Sequence, residues 1–398
     1  MRRLLTAAAV VAVLLSASVL VSLAPGAPEA AGSCRTGTVK ALVGGTRVCL
    51  KAGQKCAPRY NARYRTYGFD CPAGRRLTRR KPPPPQPPQP KSVAVAISGP
   101  EEIVFDWTTD RCNDEDIPDL PARAYRDAEG NVHLIAPHHR AIPFVGPTLD
   151  TVKRQCTVVF DSHYNADPAD FDDREWLASV YTLDGRNVYG FVEDEYWGTT
   201  HPGQCPSGDF NRCWYSRITT AVSTDGGNSF THATPPGHFF AQIPTRYVAD
   251  SGRRGIAVPS TIVRNPADGF YYLALQVNDS SGRFPGVLLR TRTPERPASW
   301  GAWDGQVFNA HFANPYTLPS GEAPQPPPVL DLPNLCAASF RYVPAARQFI
   351  CVGTAGGTAG GIAYVTSPDL RIWSTQQVIL PGIETGSYVC GGPEPTKY

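Results

Sequence analysis

Acidic residues that stand beside aromatic residues are the strongest candidates for chemistry in this sequence. Three consecutive acids at positions 193–195 are followed by Tyr196 and Trp197, with His201 close behind. Crowded like charges raise the pKa of at least one carboxyl group, as a general acid requires. The pattern therefore predicts Glu195 as a general acid, with Tyr196, Trp197 and His201 as substrate contacts. A calcium-binding or merely solvated loop is the alternative.

Two further acidic segments precede predicted strands. Asp119 lies ahead of Arg123, which could neutralise a carboxylate or bind an anionic sugar. A loop cap with a solvent-exposed salt bridge is the alternative for this segment. Further along the chain, Glu175 could tune the pKa of a neighbouring carboxyl group, and Trp176 could stack on a sugar ring.

Other chemistries have little support. The sequence has no His-x-x-x-His or Cys-x-x-Cys metal signature, no Gly-x-Ser-x-Gly elbow and no phosphate loop. We therefore expect no cofactor, although one loop could hold structural calcium or simply cap its own turns. That loop contains Asp167, Asp170, Asp172 and Asp173. The formal net charge of +3 is too small to indicate a nucleic-acid partner.

The elements that must position these residues are predicted to be strands. From residue 92 onward, short alternating strands are joined by turns of Asp, Gly or Pro, and helical periodicity is nearly absent. Hairpins are predicted over residues 122–136, 175–193, 261–277 and 337–353. A series of such hairpins along the chain predicts an all-β, five-bladed β-propeller, with a β-sandwich as the alternative.

The two ends of this predicted propeller are irregular. Residues 103–107 form a lone predicted strand that could close the ring by joining the last blade. Little strand material follows Leu380, so we expect either an incomplete last blade or a truncated relative of a longer family.

Two turn motifs carry a resemblance to known glycosidase families. Residues 223–230, Ser-Thr-Asp-Gly-Gly-Asn-Ser-Phe, match the Asp-box S-x-D-x-G-x-x-[FW] and resemble the turn between outer strands of sialidase-type blades. Residues 367–373, Ser-Pro-Asp-Leu-Arg-Ile-Trp, resemble the S-x-D-L-x-x-W turn of five-bladed glycosidases such as arabinanases. Both motifs are structural, because the carboxylate caps backbone N–H groups of the turn.

The resemblance also implies roles for individual residues. The segment 116–123 is loosely similar to the Asp-Pro opening of arabinanase-type glycosidases, which implies that Asp119 is the general base, with Asp116 second. Residues 172–179 are similar to the tryptophan-bearing opening of the second blade. Residues 258–261 open the third blade without the carboxylate expected of the family's general acid. Either Glu195 has taken that role, or the body binds sugars without cleaving them.

A sialidase activity is disfavoured. Arg246, Arg264 and Arg123 could form an arginine triad, but the Phe-Arg-Ile-Pro motif is absent and no Tyr/Glu nucleophile pair can be placed. Arg246 is kept as a candidate substrate-binding residue. The resulting prediction is a carbohydrate-active propeller, glycoside hydrolase-like, that acts on extracellular polysaccharide or cell-wall glycan. A non-catalytic carbohydrate-binding or surface-interaction propeller is the alternative.

Residues 1–91 are predicted to contain export and tethering elements. Residues 1–32 have two arginines, an apolar run and small residues, as in a cleavable signal peptide, with an uncleaved anchor as the alternative. We therefore expect a secreted, monomeric protein with no membrane partner after cleavage. A basic Cys-rich module over residues 33–81 and a polyproline linker over residues 82–91 precede the propeller at 92–398.

The basic module has few features that indicate a function. Residues 39–50 alternate around two glycines and predict a hairpin, and tyrosines at 60, 64 and 67 predict a helical turn or two packed on it. Residues 48–56 and 67–71 resemble short cysteine-bearing modules of secreted actinobacterial proteins. The module could hold an anionic wall polymer or polysaccharide, and a folded spacer is the alternative.

The eleven cysteines predict disulfide bonds, as usual in exported proteins. Three pairs are predicted in the body and Cys390 is left over: Cys112 with Cys156, Cys205 with Cys213, and Cys336 with Cys351. The module's cysteines allow three pairings, which the sequence leaves open: Cys34, Cys49, Cys56 and Cys71.

Overall fold

A computed structural model describes residues 34, 36–73, 75–80, 93–100, 102–235, 237–278, 286–319, 339–354 and 361–381. The chain divides into two compact units, residues 1–87 and 88–398. The predicted signal peptide, the whole predicted linker, Cys336 and Cys390 lie outside the described residues. None of the helices in the described ranges is long and apolar enough to span a membrane.

The first unit is a small module with two disulfide bonds. Its elements are β1 (Val39–Val43), β2 (Thr46–Leu50), a 3-10 turn (Pro58–Tyr60), α1 (Asn61–Thr66), β3 (Phe69–Asp70) and β4 (Thr78–Arg79). The hairpin β1–β2 turns at Gly44 and Gly45, both with positive φ, as the glycines predicted. The disulfides join Cys34 to Cys49 and Cys56 to Cys71, around a core that includes Leu50, Tyr64, Phe69 and Leu77. A core this small depends on such cross-links.

The second unit is mostly strands, as predicted, in four consecutive groups. A short helix, α2 (Trp107–Asp110), precedes them. Group I contains β5 (Arg123–Arg126), β6 (Val132–Ile135), β7 (Arg140–Ala141), β8 (Pro143–Gly146), β9 (Lys153–Arg154) and β10 (Phe160–Asp161). Group II contains β11 (Arg174–Thr182), β12 (Val188–Trp197), β13 (Trp214–Ser223), β14 (Thr231–His232) and β15 (Phe239–Ala241).

Groups III and IV continue the same plan. Group III contains β16 (Arg254–Ala257), β17 (Val263–Arg264), β18 (Tyr271–Asn278), β19 (Gly286–Thr291), β20 (Gly301–Trp303) and β21 (Phe308–Ala310). Group IV contains β22 (Ser339–Val343), β23 (Gln348–Thr354), β24 (Ile362–Ser367) and β25 (Gln377–Leu380). Three further 3-10 turns are Gly198–Thr200, Phe210–Arg212 and Pro297–Ser299. Neighbouring strands pair antiparallel, except that β13 pairs in parallel with β16 and so joins groups II and III.

The hydrophobic core is divided among the junctions between consecutive groups. Separate clusters of buried apolar side chains join group I to II, group II to III, and group III to IV. Group II is therefore covered on both faces, and β13 is buried at nearly every position. At the junction of groups II and III, the Phe191 ring packs against Phe240 and Trp300.

Packing of this kind agrees with an all-β body. In the part of the chain that the structure describes, the sheets do not close into a ring, so the five blades remain a prediction. The predicted lone strand at residues 103–107 is wrong. Asp106 instead caps α2, since its side chain accepts a hydrogen bond from the Thr108 N–H at 2.9 Å, and Phe105 packs edge-on against Phe144.

The two turn motifs have the local geometry that their residues favour. In the β13–β14 turn, the Asp225 carboxylate accepts hydrogen bonds from the Ser229 N–H at 3.0 Å and the Ser229 hydroxyl at 2.7 Å. Gly226 and Gly227 have positive φ, and Phe230 is buried. In the β24–β25 turn, Asp369 likewise caps two backbone N–H groups. Each carboxylate thus satisfies donors that the tight turn leaves free.

Two predicted disulfides of the body are present. Cys112 bonds to Cys156 and Cys205 bonds to Cys213. Cys351 is a buried, free cysteine on β23. Cys336, its predicted partner, lies outside the described residues, so this pairing stays a prediction.

Candidate active site

Three carboxyl groups converge on one face of group II. Alternation along β12 places Glu193 and Glu195 on the same face of the sheet and Asp194 on the other. Trp176 on β11 lies directly opposite Glu193, and its indole N–H donates to Oδ2 of Asp119 at 2.9 Å. The three carboxylates are close enough for Asp119 and Glu195 each to raise the pKa of Glu193.

Glu195 is held by two tryptophans. The indole N–H groups of Trp197 and Trp214 both donate to Oε2 of Glu195, each at 2.7 Å. Burial raises the pKa of Glu195, and the two indole bonds only partly oppose this shift. Because Oε2 accepts two hydrogen bonds, a proton on this residue is carried by Oε1. Arg253 lies over the Trp214 ring at 4.0 Å and brings a positive charge to the same side.

Glu193 connects this face to the opening of group III. Its Oε2 accepts a hydrogen bond from the Val258 N–H at 2.7 Å. Val258 has a φ of 42°, a conformation that a β-branched residue rarely adopts and that often occurs at functional sites. Burial, followed by the charge of Glu195, raises the pKa of Glu193 well above the ordinary value. Glu193 was not among the predicted catalytic residues, although its spacing of two from Glu195 on a strand was a usable signal.

Asp119 is positioned by a cross-linked loop. The N–H groups of Asp119 and Leu120 both donate to the Pro137 carbonyl, at 3.3 and 3.2 Å. Asp116, the second candidate base, is instead buried in an ion pair with Arg154 and accepts the Cys112 N–H at 2.9 Å. Asp116 therefore has a structural role, and Asp119 is the carboxylate left near the tryptophans.

Two histidines that the sequence analysis did not select adjoin Asp119. The rings of His138 and His139 pack edge-on against Trp176, with centroids 6.0 and 6.1 Å away. Burial raises the pKa of Asp119, while the charge of His138 and the Trp176 N–H oppose the shift. Burial lowers the pKa of His138, and the negative charge of Asp119 opposes this shift. Burial is the main cause of both shifts, and the charge of each group partly opposes the shift of the other.

Four of the predicted site residues therefore lie together, and five lie elsewhere. The four are Asp119, Trp176, Glu195 and Trp197. Tyr196 points to the opposite face, where its hydroxyl donates to the Ala166 carbonyl at 2.8 Å and its ring stacks on His201. His201 is buried with Nε2 2.9 Å from a carboxylate oxygen of Asp173. Both residues stabilise the loop before β11 and do not line the carboxylate cluster.

The two predicted arginines also lie outside the cluster. Arg123 is buried and donates to the Pro259 carbonyl at 3.1 Å, and burial lowers its pKa to about 10. It lines a cavity of about 870 Å³ together with residues such as Val180 and Arg264. Arg246 is exposed and donates to the Pro315 carbonyl at 3.0 Å. Neither arginine makes an ion pair with a carboxylate among the described residues.

Glu175 is separated from the other predicted catalytic residues by strand alternation. Its side chain lies on the face of β11 opposite to that of Trp176 and is fully buried. Its carboxylate contacts His163 and His232, with Nδ1 of His163 3.1 Å from Oε2 and Nε2 of His232 2.5 Å from Oε1.

The four aspartates of the predicted calcium loop have separate partners. Asp167 caps the Ala169 N–H, Asp170 accepts from the Asn165 side chain, and Asp173 accepts from the Arg174 guanidinium. Asp172 contacts His163 instead. Turn-capping and an ion pair thus give partners to Asp167, Asp170 and Asp173, whereas Asp172 lies in a histidine–carboxylate cluster.

Comparisons with known proteins give only structural likenesses. No protein-family model and no curated protein matches the chain. An α-L-arabinofuranosidase from Lactobacillus brevis is 10% identical, with 66% of this chain and 73% of that chain covered at a TM-score of 0.37. A family 117 glycoside hydrolase from Zobellia galactanivorans is 12% identical, with 64% and 67% covered at 0.39.

An arabinanase of Bacillus subtilis is a third solved structure of this kind. It is 11% identical, with 64% of this chain and 74% of that chain covered at a TM-score of 0.34. All three of these solved structures are named as glycosidases. Likenesses at this level carry no argument about its activity.

Proposed function

We propose that this protein is a secreted glycoside hydrolase that acts on extracellular polysaccharide or cell-wall glycan. The observation that carries the proposal is the convergence of Asp119 and Glu195 beside Trp176 and Trp197. Hydrolysis of a glycosidic bond needs two carboxyl groups, one to protonate the leaving oxygen and one to act as base or nucleophile. The Trp197 ring is partly exposed and can offer an apolar face to a sugar ring, whereas Trp176 is buried and positions Asp119.

The contacts suggest a division of roles. Glu195 is the general acid and donates its proton from Oε1, because Oε2 is occupied by the two indole N–H groups. Asp119 is the base or nucleophile on the other side of the bond. Burial, and to a smaller extent the charge of Asp119, helps to keep Glu195 protonated. This arrangement substitutes for the acid that residues 258–261 lack.

A panel of plant and microbial polysaccharides, followed by chromatography of the products, tests the proposal. We expect the purified full chain to release oligosaccharides from at least one polysaccharide, and an Asp119→Asn variant to release none above background. Release of identical products by wild type and Asp119→Asn would contradict the assigned roles.

A second function, binding of glycans without cleavage, is favoured by a specific observation. Oδ2 of Asp119 and Oε2 of Glu195 are both already occupied by indole N–H groups, which also suits carboxylates that only orient a sugar. Under this alternative a glycan array gives retention on defined glycans, whereas product analysis shows no cleavage of the same glycans.

Export and tethering belong to the same proposal. The signal-peptide-like residues 1–32 and four disulfide bonds support a secreted protein. The basic module then serves to hold an anionic wall polymer near the hydrolase body. Retention of the full chain on anionic wall polymer, lost at high salt, is the expected outcome.

A further inference from the structure

A second cluster of polar side chains lies on the face of group II opposite the candidate active site. It contains two histidines and two carboxylates, whose nearest ligand atoms all lie within 4.8 Å of one another: His163, Asp172, Glu175 and His232. The residues come from the loop after β10, the loop before β11, β11 itself and β14. Distant parts of the chain therefore meet at one point.

The cluster is held in place by neighbouring groups. The Glu175 N–H donates to the Ser162 hydroxyl at 2.8 Å, and that hydroxyl donates to the His139 carbonyl at 2.6 Å. The His232 ring stacks on His238 with centroids 3.8 Å apart. Metal ligands are commonly oriented by outer contacts of this kind.

Burial and charge favour a divalent cation at this position. Glu175 is fully buried, and with Asp172 it brings two formal negative charges beside two imidazoles. A divalent ion bound to neutral imidazoles balances this charge. The side chain of His163 is 59% exposed, so an ion can enter from solvent.

The donor atoms select among metals. Calcium and magnesium prefer six or more oxygen ligands, whereas two imidazole nitrogens with two carboxylate oxygens suit zinc, which takes four ligands in structural sites. We propose that His163, Asp172, Glu175 and His232 form a structural Zn²⁺ site that ties the loops around β11 to β14. The site is independent of the proposed hydrolase activity, because none of its ligands belongs to the carboxylate cluster.

The other metal-like group among the described residues does not compete under oxidising conditions. It contains Cys205, Cys213 and Asp250, but the two sulfurs form a disulfide bond and cannot act as thiolates. Experiments without reductant therefore report on the histidine–carboxylate cluster.

Calorimetric titration of the chelator-treated full chain with ZnCl₂, and in a separate experiment with CaCl₂, tests the proposal. We expect one Zn²⁺ per chain and no comparable Ca²⁺ binding. His163→Ala and His232→Ala should each weaken Zn²⁺ binding by at least ~10-fold. His311→Ala is the matched control, because His311 is exposed and lies outside the cluster; its affinity should equal that of the wild type.

Wild-type protein loaded with Co²⁺ gives a second measurement that does not depend on the folding of a variant. Visible absorption bands of tetrahedral Co²⁺ without a sulfur charge-transfer band are expected. Absence of Zn²⁺ binding by the wild type, unchanged affinity in both histidine variants, or a cobalt spectrum with sulfur ligation would each overturn the proposal.

Discussion

At the scale of single residues, the pKa of Glu195 depends on the two indole N–H groups that donate to one of its oxygens. Trp214→Phe keeps an aromatic ring and removes one of these donors. Because the lost bond stabilised the carboxylate, the pKa of Glu195 should rise, and the high-pH limit of kcat/KM should move up by about one unit.

A pH profile of kcat/KM for the wild type, Trp214→Phe and Trp303→Phe checks this prediction. Trp303 lies on β20, outside the carboxylate cluster, and serves as the control. A shift to lower pH in Trp214→Phe, or an equal shift in both variants, would be inconsistent with Glu195 as the acid.

The raised pKa of Glu193 also predicts how stability depends on pH. The folded state retains a proton that the unfolded state releases above about pH 4.3, so this contribution to stability is present below that pH. It is lost progressively as pH rises through the higher pKa of the folded state. Glu193→Gln keeps an acceptor for the Val258 N–H and removes the titration.

Denaturant unfolding between acid and mildly alkaline pH tests this expectation. The free energy of unfolding of Glu193→Gln should increase relative to the wild type as pH rises. Glu129→Gln, at an exposed turn, should follow the wild type. Parallel curves for the wild type and Glu193→Gln would refute the assignment.

At the same scale, the sequence pattern identified part of the carboxylate cluster but also assigned residues that lie elsewhere. Asp119, Trp176, Glu195 and Trp197 lie together, because pairing of β11 with β12 and alternation along β12 bring their side chains to one face. Glu175 was misgrouped because adjacent residues on a strand point to opposite faces.

At the scale of elements, the loop that carries Asp119 depends on the bond between Cys112 and Cys156, which are 44 residues apart. Replacing both cysteines by serine should lower the free energy of unfolding by about 2–4 kcal/mol and reduce activity, because Asp119 loses its anchor. The Cys205–Cys213 bond closes a separation of only 8 residues and is the matched control.

Chemical denaturation and activity assays of the two double-serine variants distinguish the outcomes. Removal of the Cys205–Cys213 bond should cost less stability and leave activity near the wild-type value. Full activity after loss of the Cys112–Cys156 bond would show that the Asp119 loop is held in place by other contacts.

The sequence predicted the strand pairs but not the connections between groups. Alternation and turn residues identified hairpins such as β5–β6 and β11–β12, because both depend on local chemistry. The parallel pairing of β13 with β16 joins distant segments, and no local pattern encodes it. The helical turn α2 was missed because the capping tendency of Asp106 was outweighed by the apolar residues before it.

At the scale of the whole molecule, the division into two compact units predicts separable roles. A chain of residues 88–398 should cleave soluble oligosaccharides as the full chain does, since all carboxylates of the candidate site lie within it. Its retention on anionic wall polymer should be lower. Equal retention of both chains would remove the tethering role of the basic module.

The central claim is that Asp119 and Glu195 cleave a glycosidic bond, and one comparison tests it most directly. Binding and cleavage of the same polysaccharide are measured for the wild type, Asp119→Asn and Glu195→Gln. We predict that affinity stays nearly constant while cleavage falls by about 10²–10⁴-fold in both variants. Binding without cleavage by the wild type, or cleavage at the wild-type rate by Glu195→Gln, would contradict the claim.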